Sequence, residues 1–371
     1  MVFFSKEVVV GAARFSEYLP LLEGKRVALV VNQTSLVANV HLVDTLLAQK
    51  VNIVKIFAPE HGFRGLADAG QPIDNERDTT TGLPIISLYG ARKKPLPEDL
   101  ADVDVVVFDI QDVGARFYTY ITTMHLLMEA CAEQGKLFIV LDRPNPNGWY
   151  VDGPLLDSCF RSFVGMHPIP IVHGLTVGEL ARMINGQGWL AGGVTCPLTV
   201  IPCLEYDHSQ HYSLPVRPSP NLPNDLAIAL YPSLCLFEGT IVSVGRGTKV
   251  PFQVIGFPEY PHRWFSFIPC SMQGAKNPPY KGQICYGMDL RHINPKRVKF
   301  TLQPLLHMYR LAPKKDTFFT PFFDKLAGSD QLRKQIQAGM TEEEIRARWQ
   351  QDLANYKAMR KKYLLYADFE P

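Results

Sequence analysis

The run Arg26-Val27-Ala28-Leu29-Val30-Val31, passing directly into Asn32-Gln33-Thr34-Ser35, decides how this chain is read. A short apolar run rich in β-branched residues is the mark of a strand buried on both faces, as in a parallel sheet. Outward from it the pattern repeats. Val40, Val43, Leu46 and Leu47 share one helix face, and further strands are expected at 51–57, 84–88, 103–108 and 137–141, with a helix over 118–134. Strands alternating with helices predict an α/β fold with a Rossmann-like parallel sheet. In such sheets ligands bind outside the carboxyl ends of the strands, so Asn32 to Ser35, Glu60-His61, Tyr89-Gly90, Asp109 to Arg116 and Asp142-Arg143 are expected to converge on one edge. The first strand opens into no Gly-x-Gly-x-x-Gly turn and no Walker A sequence occurs, which removes the main support for a nucleotide ligand.

Length and composition narrow the class. The 371 residues are enough for two or three domains, and a net charge of +2 offers no basis for a nucleic-acid partner or an anionic membrane. The apolar start Met1-Val2-Phe3-Phe4 is broken by Ser5, Lys6 and Glu7, so neither a signal-peptide core nor a membrane span is read there. That leaves a cytoplasmic protein or a mature chain whose leader is left out. The seven cysteines are dispersed, odd in number and form no Cys-x-x-Cys pair; buried free thiols are expected.

After Gly148 the chain becomes proline-rich, and the expected boundary sets residues 1–155 as the Rossmann-like domain and 156–371 as a second one. Thr176-Val177-Gly178-Glu179 has capping-box spacing and opens a helix, and Thr341 to Glu344 repeats the device before Ile345, Trp349, Leu353, Tyr356, Met359 and Tyr363. That last stripe is read as core. Short strands are expected at 198–201, 252–255, 283–290 and 298–302. Arg217 to Pro223 is a rigid extended loop, because each proline fixes its own φ and biases its predecessor away from helix.

The stretch from Phe57 to Gly70 offers a carboxylate, an imidazole and a guanidinium at a strand end. Glu60, beside Pro59, is read as a general acid or as a solvated carboxylate paired with Arg64. His61 is a hydrogen-bonder to substrate or structure; no His-Glu-x-x-His spacing accompanies it, so no metal is expected. Arg64, Arg116 and Arg246 each sit in a glycine-bearing loop and together make an anion clamp for carboxylate or phosphate. Asp109, Gln111 and Asp112 are candidates to orient substrate, with helix capping as the alternative for Asp112. Glu238, flanked by Phe237 and Gly239, calls for a partner. Tyr118 and Asn221 are candidates to line a sugar-sized cleft.

These segments carry a resemblance. Pro-Glu-His-Gly-Phe-Arg-Gly at 59–65, Phe-Asp-Ile-Gln-Asp-Val-Gly-Ala-Arg-Phe-Tyr-Thr-Tyr at 108–120, Leu-Asp-Arg-Pro-Asn-Pro at 141–146, His-Gly-Leu-Thr-Val-Gly-Glu-Leu at 173–180, Pro-Ser-Pro-Asn-Leu-Pro at 218–223 and Leu-Phe-Glu-Gly-Thr at 236–240 are similar to the exo-β-N-acetylmuramidase family typified by NamZ. The resemblance implies a glycoside hydrolase acting on peptidoglycan-derived muramyl saccharides without a cofactor, a second, smaller α/β domain, an active cleft between the two domains, and Glu60 as the acid. It implies the periplasm or cell envelope as the compartment, against the cytoplasmic alternative above. One position departs: many members carry a glutamate where this chain has Val244. A non-catalytic sugar-binding protein on the same scaffold and a metal-dependent hydrolase using His61 are the competing expectations.

Overall fold

The computed structural model describes residues 7–60, 63, 76–90 and 92–370. Its centre is a seven-stranded sheet in the order Leu198–Ile201, Leu137–Leu141, Val105–Asp109, Val27–Val31, Ile53–Ala58, Pro84–Ser87 and Glu76–Arg77. The first six are parallel and the two-residue edge strand is antiparallel. Strand alternation divides the run Val27–Val31: Val27, Leu29 and Val31 pack into one apolar cluster, and Ala28 and Val30 into the other. Helices Phe15–Leu22 and Leu42–Ala48 contribute Tyr18, Leu22, Leu42, Val43 and Leu46 to the first cluster, whereas Tyr120–Glu133 and Val177–Gly186 contribute Ile121, Met124, Leu180 and Met183 to the second. Both faces are therefore dry, as continuous apolar strands require.

The smaller part carries a three-stranded antiparallel sheet in the order Val254–Phe257, Cys285–Asp289, Ser266–Phe267, and helices Asp225–Leu234, Gln303–Leu311, Phe322–Ala327, Gln331–Gln337, Glu342–Ala347 and Gln350–Arg360. The second cluster of the parallel sheet continues without a break into this part, through Leu234, Phe237, Phe252 and Phe323.

Two expectations need correction, the domain boundary and one strand. The boundary at residue 155 falls too early, because Leu198–Ile201 pairs in register with Leu137–Leu141 and belongs to the first sheet. The expected strand at 298–302 does not form. Val298, Phe300 and Leu302 are buried at alternate positions, but no neighbouring strand offers them a ladder; a 3-10 turn at Pro295–Arg297 precedes them and helix Gln303–Leu311 follows. The C-terminal stripe is two helices, interrupted at Trp349 (φ −110°, ψ 4°). Its capping box does form, with Thr341 N–H donating to Glu344 (2.8 Å) and Glu344 N–H to Thr341 Oγ1 (3.2 Å). Among the described residues no helix is long and apolar enough to cross a membrane, and all seven cysteines are free.

Helix Tyr120–Glu133 is locked to the segment between strands Leu137–Leu141 and Leu198–Ile201 by a buried histidine pair, with His167 Nε2 and His125 Nδ1 3.1 Å apart. One neutral imidazole donates to the other; charging both would oppose two N–H groups. Burial pulls His125 down to about 4, with Glu129 opposing and Arg161 and Lys94 reinforcing, and burial holds His167 well below its usual value. The unfolded chain then binds more protons than the native one below the ordinary histidine range, so stability is complete above about pH 6.5 and falls as pH drops toward 4. Denaturant titrations should show this loss, and His125→Gln should flatten the slope between pH 6.5 and 5; identical slopes would rule the pair out as its source.

Candidate active site

Between the two parts lies a cavity of about 720 Å3, lined by Glu60, Thr119 and Tyr118 from the first and by Glu238, Arg246 and Phe252 from the second. Glu60 follows the carboxyl end of strand Ile53–Ala58, where Leu88 N–H donates to Ala58 O (2.8 Å) and ties it to the next strand's exit. Thr119 Oγ1 donates to Glu60 Oε2 at 2.6 Å, and Tyr120 Oη lies 3.4 Å from Glu60 O. Thr119 is the residue before helix Tyr120–Glu133, and its hydroxyl makes no capping bond. The hydroxyl that would ordinarily cap the helix holds a carboxylate there instead, at the end where the helix dipole favours negative charge.

Glu238 lies in the 3-10 segment Cys235–Gly239 that continues helix Asp225–Leu234. The backbone of Phe323 lies so close to Gly239 that a Cβ there would sit 2.4 Å from it, so the segment runs flush against the next helix. Arg246 Nε donates to Glu238 Oε1 at 2.5 Å, and Cys235 Sγ lies 3.6 Å from Oε2. Burial works against the charge on Arg246, but Glu238 overrides it and raises the guanidinium above its usual value. Gly245 and Gly247 on either side have φ of +75° and +80°, a left-handed backbone that glycine adopts without strain, and Val254 and Pro278 fill the space of a side chain at each. The guanidinium rests over the Phe252 ring at 5.4 Å.

Five of the residues expected from sequence thus line one cavity: Glu60, Tyr118, Asn221, Glu238 and Arg246. Tyr118 does so with its ring, since its hydroxyl donates to Pro218 O (2.8 Å) and burial raises its pKa. Asn221 Nδ2 donates to Gly274 O (2.9 Å), which holds two loops of the wall together. His61 and Arg64 lie outside the described residues. Val244, the departing position, is buried against the cavity.

Four expected residues are placed elsewhere, and each has a reason. Asp109 is fully buried and receives Arg143 Nε (2.5 Å) and Nη2 (2.8 Å) on its two oxygens. Gln111 donates through Nε2 to Asp112 O (2.8 Å) and Pro144 O (2.7 Å). Asp112 accepts from Gly114 N–H (2.7 Å) and lies 3.4 Å from His173 Nε2. The crevice between Val27–Val31 and Val105–Asp109, where strand order reverses, is thus filled by the protein's own polar groups. Arg116 is the fourth: it is fully buried and donates to four carbonyls, those of Pro154 (2.7 Å), Ile169 (2.8 Å), Leu326 (3.0 Å) and Ala327 (2.7 Å). Of the expected arginine clamp only Arg246 reaches the cavity among the described residues, and it is joined there by Lys276.

Sequence reasoning missed Thr119, Lys276 and Phe163; Tyr89, expected at this edge from its strand end, forms an aromatic wall with Phe163, their rings 5.9 Å apart. Only Thr119 sat inside a motif already singled out. Among the described residues no group of three or more His, Cys, Asp or Glu is placed to hold a metal.

An α/β cleft with a carboxylate from each side and aromatic walls is the working arrangement of a glycoside hydrolase. Family models agree with that class: residues 27–226 match the N-terminal part of exo-β-N-acetylmuramidase NamZ, and residues 229–366 match its C-terminal part. The chain is 38% identical, over 94% of its length and 89% of the relative's, to the peptidoglycan β-N-acetylmuramidase NamZ of Bacillus subtilis. Two solved DUF1343 family proteins from Bacteroides fragilis superpose on it: one with a TM-score of 0.92 at 48% identity, covering 98% of this chain and all of the other, and one with 0.83 at 30% identity, covering 97% and 99%. The chain belongs to the NamZ exo-β-N-acetylmuramidase family.

The placement of Arg116 has a measurable consequence. Arg116→Met leaves four buried carbonyls without their donor, and should cost roughly 3 kcal/mol or more in denaturant titrations at about 1 to 3 kcal/mol per unsatisfied buried group. An Arg116→Met variant as stable as the parent but with a raised KM would restore the ligand-clamp reading.

Proposed function

We propose that this protein releases N-acetylmuramic acid from the non-reducing end of peptidoglycan fragments, with Glu60 as the general acid and Glu238 as the second carboxylate. The observation that carries the reading is that Glu60 and Glu238, reached from opposite parts of the chain, line one cavity. Glu60 transfers its proton to the glycosidic oxygen as the bond to the anomeric carbon breaks, and positive charge spreads over that carbon and the ring oxygen. Thr119 keeps the Glu60 carboxyl in one orientation through this step. Glu238, paired with Arg246, faces the developing charge, and water then completes the hydrolysis.

The rest of the cleft suits such a substrate. Tyr89 and Phe163 offer apolar faces for pyranose rings, and Arg246 and Lys276 bring positive charge for the lactyl carboxylate that separates muramic acid from glucosamine. Asp109 and Asp112, already engaged within the fold, are not assigned to orient the acetamide. Because the substrate comes from the wall, we assign the work to the cell envelope or periplasm; the cytoplasm is the alternative.

The test is release of N-acetylmuramic acid from an N-acetylmuramyl-N-acetylglucosamine disaccharide. Glu60→Gln should lower kcat by on the order of 10²- to 10⁴-fold, the usual contribution of a general acid, with little change in melting temperature. A Gln variant that keeps its activity would sink the assignment.

A further inference from the structure

A second cavity of about 280 Å3 adjoins the cleft, and Asn221 lines both. The two cavities are opposite faces of the same three loops. In the loop 217–223, Ser219 and Asn221 line the cleft and Arg217 the smaller cavity; in 246–251, Arg246 and Lys249 divide in the same way; in 272–279, Gly274 faces the cleft and Gln273 the smaller cavity. The ridge between them is rigid. Asn221 donates to Gly274 O (2.9 Å), Pro220 fills the space of a Cβ at Gly274 (2.4 Å), and Gln33 reaches across from the first part to donate to Pro218 O (3.0 Å). Recognition on such a surface requires little ordering of the backbone.

The charge of the smaller cavity is one-sided. Arg217 and Lys249 line it and, among the described residues, no acidic side chain does. Both side chains are exposed, and among the described residues neither forms an ion pair. An arginine fork and an ammonium with nothing to neutralise them are suited to a carboxylate. The substrate can supply a second one. Muramic acid alternates with glucosamine along a glycan strand, so any fragment longer than a disaccharide carries another lactyl carboxylate on its next muramic residue, or, where a stem peptide is joined through that lactyl group, the carboxylates of the peptide.

We propose that this cavity is a second subsite, in which Arg217 and Lys249 hold a carboxylate of the substrate beyond the one on the sugar being released. The inference rests on the muramidase reading of the cleft. It makes the enzyme sensitive to what lies behind the scissile bond, while the chemistry stays with Glu60 and Glu238.

The experiment compares the full chain with the Arg217→Ala/Lys249→Ala double variant on three substrates: the N-acetylmuramyl-N-acetylglucosamine disaccharide, the tetrasaccharide of two such repeats, and that tetrasaccharide carrying a stem peptide on its second muramic residue. One of the two longer anions should show a KM roughly tenfold below that of the disaccharide, about the worth of one charge-assisted hydrogen bond. The double variant should lose that advantage and keep its disaccharide kinetics and melting temperature. An advantage on the tetrasaccharide identifies the next lactyl group as the ligand, and one on the peptide-bearing substrate identifies the stem. Equal KM on all three in the parent, or an advantage that survives in the double variant, overturns the subsite and leaves the muramidase reading standing. No turnover of any of the three by the parent would overturn both.

Discussion

The guanidinium of Arg116 is the constraint on which the cleft depends. It is buried with no carboxylate among its hydrogen-bond partners, and burial pulls its pKa down to about 9, which still leaves it charged at neutral pH. Four carbonyls from two distant regions, 154–169 and 326–327, converge to solvate it. A charge in that position is tolerable only if all of those segments stay in place. Gly328 shows how tight the fit is, since a Cβ there would lie 2.6 Å from the guanidinium. Directly after it, Phe117 and Tyr118 begin the cleft wall, and helix Phe322–Ala327, whose carbonyls Arg116 holds, packs against the segment bearing Glu238. The same cation therefore sets the spacing between the two sides of the cleft.

A second constraint acts at the sheet. An open parallel sheet offers its crevice where strand order reverses, and here that crevice is closed by Asp109, Arg143, Gln111 and Asn32 bonding to one another and to nearby backbone. The large cavity lies outward of it, where loops of the smaller part fold over the carboxyl edge. Glu60 remains at a strand end as the general rule has it, but the carboxylate that complements it comes from a segment almost 180 residues away. This division lets the apolar core run uninterrupted beneath a polar cleft.

Much of this was legible in the sequence because it depends on local chemistry. Val27–Val31 and its sister strands show their burial by composition, the capping boxes at Thr176 and Thr341 formed as their spacing required, and the absence of a glycine fingerprint after the first strand turned attention from nucleotides. Where local signals had no partner to act on they misled. Val298, Phe300 and Leu302 alternate as a strand does, yet lie beside no ladder. The arginines at 116 and 246 look alike in sequence, each next to a glycine or small residue; one is surrounded by carbonyls and the other faces a carboxylate.

The sequence by itself determined the sheet, the family and the identity of Glu60 as a residue to examine, because hydrophobic period and ordered motifs are written along the chain. Only the tertiary structure decided which polar groups are available to a ligand. A buried polar side chain must find a partner within the fold, and that partner can be any residue that packing brings near. Hence Asp109, Gln111, Asp112 and Arg116 became parts of the frame, while Thr119, an unremarked threonine before a helix, became the group that holds Glu60.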